Sequence, residues 1–239
     1  MEPLWHSIVQ GLHTVGIHLD ERAAGSIAAA GTQASGAMDL PSLVALAAAL
    51  GWASGFRLYA VVFLVGAAGQ AGWMALPPGL QVLQHPAMLI ASGVLLSVEF
   101  FADKIPGVDS LWDLLQSVIR IPAGAALAAG ALGADGATAA TIAALLGGTL
   151  AASSQAAKTT TRAAINTSPE PFSNLLASLV EDGLVVGAVW LAVAHPVIFG
   201  IALLLTVVLL GVVTVTLFKF LRAALRRLSA FLSGSPKVV

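Results

Sequence analysis

The sequence predicts an all-α fold: a polytopic membrane bundle of about six transmembrane helices, with broken helices and a 3+3 inverted repeat. Three observations carry this. Of 239 residues, 58% are hydrophobic and only 10% charged, where soluble domains carry about 25% charged residues. Six stretches approach the roughly 20 apolar residues that a bilayer core demands. Those stretches are continuous and rich in Ala and Leu, which favours helix over the in–out alternation of a membrane barrel strand. A formal net charge of −1 and the absence of cysteine leave no overall basic field for nucleic acid and no thiolate for a zinc site or disulfide.

The elements follow in order. Residues 1–37 are read as a disordered or amphipathic tail, or as a misassigned start ahead of Met38. The membrane domain is 38–220, with spans at 41–67, 86–102, 114–133, 136–157, 172–194 and 196–218, and halves at 41–133 and 136–218. Residues 221–239 form a basic cytoplasmic tail. The first span is longer than a bilayer requires, and Gly51, Ser54, Gly55 and Arg57 predict a break or tilt in its middle. Gly51-x-x-x-Gly55, Ala126-x-x-x-Gly130 and Gly183-x-x-x-Gly187 supply the small-residue spacing that lets helix backbones approach in lipid. The loops at 68–85, 134–136 and 195 hold no Lys or Arg, whereas Lys104, Lys158, Arg162 and the Lys219–Arg227 cluster fall on the other side. This asymmetry predicts an inner (cytoplasmic) membrane protein with both termini cytoplasmic. The Glu99 and Glu181 segments, Leu96-Ser97-Val98-Glu99 and Ser178-Leu179-Val180-Glu181, suggest the repeat.

Ionisable groups inside the spans mark the candidate site, because each costs several kcal/mol unless paired or facing a wet cavity. They are Arg57, Glu99, Glu181 and Asp182, and Asp103 and Asp109 beside the spans complete the candidate ion-binding set. Glu99 and Asp103 share a helix face, an arrangement that requires a cation, a proton or an arginine between them. Glu181, rather than its neighbour Asp182, is expected to face the cavity. Asp103, Lys104, Asp109 and Asp113 read equally as a solvated loop. The bland alternative for Glu99 and Glu181 is structural pairing with Arg57 or Arg162. Lys158 and Arg162, four residues apart, read as positive-inside anchors or as contacts for a lipid phosphate, and Arg120 as a residue that snorkels to the interface. The breaks at Pro106-Gly107 and at Pro169-Glu170-Pro171, with Asn174 or Ser173 capping the next helix, would leave helix starts open to an anion.

Gly55-Phe56-Arg57-Leu58-Tyr59, the run Glu99 to Ser110, and Ser168-Pro169-Glu170-Pro171-Phe172-Ser173-Asn174 with Glu181-Asp182 resemble the bacterial membrane family labelled domain of unknown function 4126, over about residues 40–195. The resemblance implies that these motifs build one site and carries no activity with it. The residues themselves favour a small transporter or channel using intramembrane carboxylates. The alternatives are a protein that binds or flips an anionic lipid, and a non-transporting scaffold. No catalytic set is expected. The expected partners are the bilayer, a small ion or an anionic lipid, and further copies of the chain, with a divalent cation as the one candidate cofactor.

Overall fold

The structure is a computed structural model that describes residues 38–105, 107–132, 137–167 and 171–232. The 1–37 tail, Pro106, Pro169, Glu170 and residues 233–239 lie outside the described residues. Six α-helices carry the fold: α1 Leu40–Gln70, α2 Pro86–Ala102, α3 Val108–Ala131, α4 Ala137–Ile165, α5 Pro171–Ala194 and α6 Pro196–Leu232, with a short 3-10 helix at Pro78–Gln84 between α1 and α2. No strand occurs among the described residues.

Local chemistry sets the helix ends. Asp39 caps α1, its carboxylate accepting from the Ser42 N–H at 3.2 Å. His85 caps α2 in the same way, with Nδ1 3.2 Å from the Ala87 N–H, and Pro86 supplies the fixed first helical residue. Gly107 precedes α3 at φ 86°, a backbone region that glycine enters without steric cost.

α1 is not one straight rod. At Arg57 the backbone leaves the helical region (φ −146°, ψ 82°), and the two limbs, 40–56 and 58–70, fold back on each other. Contacts fix the geometry. The first limb runs parallel to α4: Gly51 abuts Gly147, Gly55 abuts Ala151 and Ser154, and the Phe56 carbonyl meets Lys158. The second limb runs antiparallel to α2, with Gly93 against Phe63 and Gly66 against Leu89. Met38, Asp39 and Ser42 consequently share one cleft with Trp73, Met74 and Ala75. Both ends of α1 lie at the end of the bundle that carries the 3-10 helix, and Arg57 is the apex of a helical hairpin. The expected break exists, two residues beyond Gly55, and beyond it the segment returns to the end of the bundle from which it starts.

The remaining helices alternate direction. α3 lies antiparallel to α4, with Gly124 and Ala128 against Gly147. The C-terminal end of α3 reaches the 3-10 helix, where Gly130 meets Gly79. α6 runs antiparallel to α5, since Thr206 lines the same cleft as Gly183 and Phe199 the same cleft as Trp190. α6 also extends to Leu232, so the first dozen residues of the expected 221–239 tail continue the helix. By length and composition α1, α3, Phe172–Ala194 and Pro196–Arg227 could each cross a membrane, and the 3-10 helix with α2, bent by 69°, makes a fifth candidate. α4 has the length, but its Gly, Ser, Thr and Gln dilute the apolar run. In the most apolar stretch of α1, 78% of residues are buried inside the protein; in that of α6, 6% are. The hairpin is therefore the core, and α6 is an outer helix whose apolar surface suits lipid. The two halves differ at their first helices, since α1 folds back where α4 is continuous.

Glycine makes the centre possible. α1, α3 and α4 meet at Gly51, Gly55, Gly124 and Gly147, where an added Cβ would lie 2.0–2.6 Å from a neighbouring atom. Of the three small-residue motifs, Gly51/Gly55 is a true crossing point and Gly130 packs on Gly79, while Gly183 and Gly187 have nothing within 4 Å of a would-be Cβ.

Candidate functional site

The hairpin apex delivers Arg57 into a cluster of buried ions contributed by five helices. Arg57 Nε lies 2.6 Å from Asp182 Oδ1 and its Nη2 3.1 Å from Asp103 Oδ2, and Nη2 also donates to Ser178 Oγ at 2.6 Å. On α3, Arg120 pairs with Glu99 of α2, with Asp113 Oδ1 at 2.8 Å, and with Gln155 Oε1 at 2.8 Å. Lys158 of α4 is the hub. Its ammonium lies 3.0 Å from Asp103, 3.1 Å from Asp113 and 3.3 Å from Glu181, and donates to the Phe56 carbonyl at 3.1 Å. That carbonyl sits next to the break in α1, so the cation satisfies backbone at the apex. One turn further on, Arg162 grips Glu181 with two parallel bonds of 3.2 and 3.1 Å, the forked geometry a guanidinium supplies. Its Nη1 ties down the Asp103 and Asn174 carbonyls at 3.1 Å each.

Burial is nearly complete. Arg57, Glu99, Asp103, Asp113, Arg120 and Arg162 expose nothing, and Lys158 and Glu181 almost nothing. Only Asp182 opens to the outside, with 32% of its side chain exposed. Charges this deep persist only when paired. Here five carboxylates (Glu99, Asp103, Asp113, Glu181, Asp182) meet four cations (Arg57, Arg120, Lys158, Arg162). Three carboxylate oxygens, Glu99 Oε2, Asp103 Oδ1 and Asp113 Oδ2, are buried without a hydrogen-bond partner. Depth is uniform as well. Arg57, Glu99, Arg120 and Asp182 lie about 11–13 residues, or about 17–20 Å at 1.5 Å per residue, from the ends of their helices at the 3-10 helix side.

A second, smaller polar knot closes the other end. Asp109 accepts from the Gly107 N–H at 2.7 Å and from Asn166 Nδ2 at 3.0 Å through both oxygens. Asn174 Nδ2 donates to Asn166 Oδ1 at 3.1 Å. The knot joins the α2–α3 break to the α4–α5 connection through side chains of Asp109, Asn166 and Asn174.

Set against the sequence reading, Arg57, Glu99, Asp103, Glu181 and Asp182 do converge, and Lys158 and Arg162 join them. Several expectations are corrected. Asp103, Asp109 and Asp113 are not a solvated loop; each is fully buried. Glu99 pairs with Arg120 rather than with Arg57 or Arg162. Arg120 does not snorkel, because α3 begins at Val108, six residues before the expected start, which puts Arg120 in mid-helix. Lys158 and Arg162 do not sit at the interface, where a lipid phosphate would meet them; carboxylates occupy them inside the bundle. Both Glu181 and Asp182 reach the cluster, on different cations. Asp109 is tied into the smaller knot. The Gly107 N–H is taken by Asp109 and is not open to an anion; α5 begins at Pro171, so Ser173 and Asn174 lie within its first turn rather than ahead of it, and Asn174 serves the knot. Arg120, Asp113, Gln155, Ser178 and Asn166 are the site residues that the sequence reading missed.

No three His, Asp or Glu side chains among the described residues are grouped to hold a metal ion; Glu99 is paired with Arg120, and Asp103 with Arg57 and Lys158. No curated protein and no solved structure matches the chain. A family model matches residues 44–216, a stretch that contains the hairpin, the whole ion cluster and both helix breaks. The chain therefore belongs to the family described as Domain of unknown function (DUF4126).

Proposed function

We propose that the protein is a small proton-coupled transporter or channel in which the carboxylates around the hairpin apex take up and release the coupling proton. The observation that supports this is that three carboxylate oxygens of the buried cluster, on Glu99, Asp103 and Asp113, have no hydrogen-bond partner. In a low-dielectric interior an unpartnered carboxylate oxygen is costly, and protonation is the cheapest way to relieve it. A proton arriving at Glu99, Asp103 or Asp113 would also convert an unpartnered acceptor into a donor. Irregular backbone at such depth is tolerated where it is buried in protein or lines a pathway, and the Arg57 break fits that placement. The lipid-phosphate reading is less well supported, because Arg57, Lys158 and Arg162 are each already engaged by carboxylates. The test is proton flux into proteoliposomes under an imposed potential, followed with a pH-sensitive dye. Wild type should acidify the lumen; Glu99→Gln and Glu181→Gln should each lower the rate at least tenfold. Equal rates in protein-free vesicles, or full rates in both variants, would end this reading.

The fold-back of α1 also sets the orientation we propose. With α2 to α6 crossing and α1 re-entrant, Met38 and the late turns of α6 lie on opposite faces. The exposed Lys219, Arg222, Arg226 and Arg227 favour an α6 end on the cytoplasmic side. The loop at 71–85, without Lys or Arg, then faces outward. Because the chain has no cysteine, single cysteines report this directly. A membrane-impermeant maleimide applied to intact cells should label Ala71→Cys and spare Ser229→Cys. Labelling of Ser229→Cys alone would reverse the assignment.

A further inference from the structure

Asp182 is the one member of the ion cluster that reaches the outer surface, and what it faces is not water-lined. It forms the inner wall of a groove of about 480 Å³ between the second limb of α1, α2 and α5. Apart from Ser97, whose hydroxyl donates to the Gly93 carbonyl, the other walls are apolar, chiefly Leu64, Leu96, Phe100, Phe101 and Val186. Phe101 and Val186 are more than half exposed on the outer face of the bundle, so the groove opens sideways, toward lipid. Charge makes the groove lopsided. Arg57 is shared between Asp103 and Asp182, whereas Asp103 also has Lys158. Asp182 thus shares its one ion-pair partner, Lys104 acts on it only through space, and about a third of its side chain is exposed. Lys104, the cation nearest the rim, is held against the Phe100 ring and carbonyl.

We propose that this groove is the substrate site of the transporter and that it takes an amphiphilic organic cation from the bilayer. Its apolar body would lie on Leu96, Phe101 and Val186, and its positive centre against the open oxygen of Asp182. The Phe101 ring adds attraction for a cation, while the Phe100 face is taken by Lys104. This rests on the proton-coupled reading and gives it a substrate class: the entering cation balances the cluster and a proton leaves it.

The test uses a pair of probes of the same shape and opposite charge, tetraphenylphosphonium and tetraphenylborate. Both are measured by equilibrium dialysis against the full chain in detergent, with empty micelles subtracted. Tetraphenylphosphonium should bind saturably, and tetraphenylborate at least tenfold more weakly. Asp182→Asn should weaken phosphonium binding tenfold or more. Val186→Trp, which fills the groove and leaves every ion pair in place, should do the same. The unfolding temperature of Val186→Trp shows that its loss is not misfolding. Borate binding equal to or tighter than phosphonium binding would overturn the proposal in favour of an anionic amphiphile seated on Lys104. Phosphonium binding unchanged in both variants, or absent from wild type, would overturn it as well. If proton flux persists while phosphonium fails to bind, the substrate assignment falls alone. If phosphonium binds but neither Glu99→Gln nor Glu181→Gln alters flux, the coupling mechanism falls alone.

Discussion

Replacing Arg120 with methionine is expected to destabilise the protein by about 3–5 kcal/mol, the range for removing one partner of a buried ion pair. Methionine keeps the length and apolar stem but takes the charge from between two carboxylates. Asp113 would retain Lys158. Among the described residues Glu99 has no other ion-pair partner, and its second oxygen is already unpartnered. It would be left as an isolated charge with no exposed surface. A single counter-change discriminates this cause from simple loss of packing. Glu99→Gln placed together with Arg120→Met removes the stranded charge, so the double variant should be more stable than Arg120→Met alone, a non-additivity that only coupled residues show. Arg226→Ala, on an exposed turn of α6, should stay within about 0.5 kcal/mol of wild type. Denaturant melts in mild detergent, read by far-ultraviolet circular dichroism, measure all three. If Arg120→Met melts with Arg226→Ala, the cluster is not a network of paired charges.

How much of this was visible in the sequence depends on which physical signal each residue carries. Helix content and membrane class were open to reading because continuous Ala–Leu runs and a 10% charged fraction constrain the solvent directly. The convergence of Arg57, Glu99, Asp103 and Glu181 was readable for a related reason, since lone charges in apolar runs have few places to go. Arg120 was hidden by a boundary. Counting the third span from 114 put it in the first turns, whereas the Pro106-Gly107 break starts the helix at Val108. From there Asp109, Asp113, Gln116 and Arg120 fall on one buried face. The corresponding signal on α4 was Gln155, Lys158, Arg162 and Asn166, spaced three and four apart; reading only the two cations made them look like interfacial anchors. The fold-back of α1 was the hardest to see. A helix with a tilt and a helix that reverses have the same composition, and only the tertiary contacts of Gly51, Gly55 and Gly66 with three different partners separate them.

Those contacts lead to the second large effect, at Gly55. A Cβ built there would stand 2.0 Å from Ser154 Oγ and 2.2 Å from the Ala151 carbonyl oxygen. The hydroxyl could rotate away, but the carbonyl belongs to the α4 backbone, so the first limb of α1 must move off α4. Overpacking a core usually costs about 1–3 kcal/mol; displacing one helix backbone from another puts Gly55→Ala at or above the top of that range. The cost is not confined to packing. Phe56 is the next residue, and its carbonyl holds Lys158; Arg57 follows and holds Asp103 and Asp182. Moving the limb by an ångström stretches all three contacts. The expected result for Gly55→Ala is therefore low folded yield and a melting midpoint well below wild type, with proton flux lost in whatever folds. Adding Ser154→Ala should restore stability only in part, since it relieves one of the two clashes. Gly183→Ala and Gly187→Ala provide the contrast: nothing lies within 4 Å of either added Cβ, and alanine favours helix over glycine by about 1 kcal/mol. Both should melt at or above the wild-type temperature. A Gly55→Ala protein that melts with them would mean that α1 and α4 do not meet at this point, and the apex would lose the support that places Arg57 among the carboxylates.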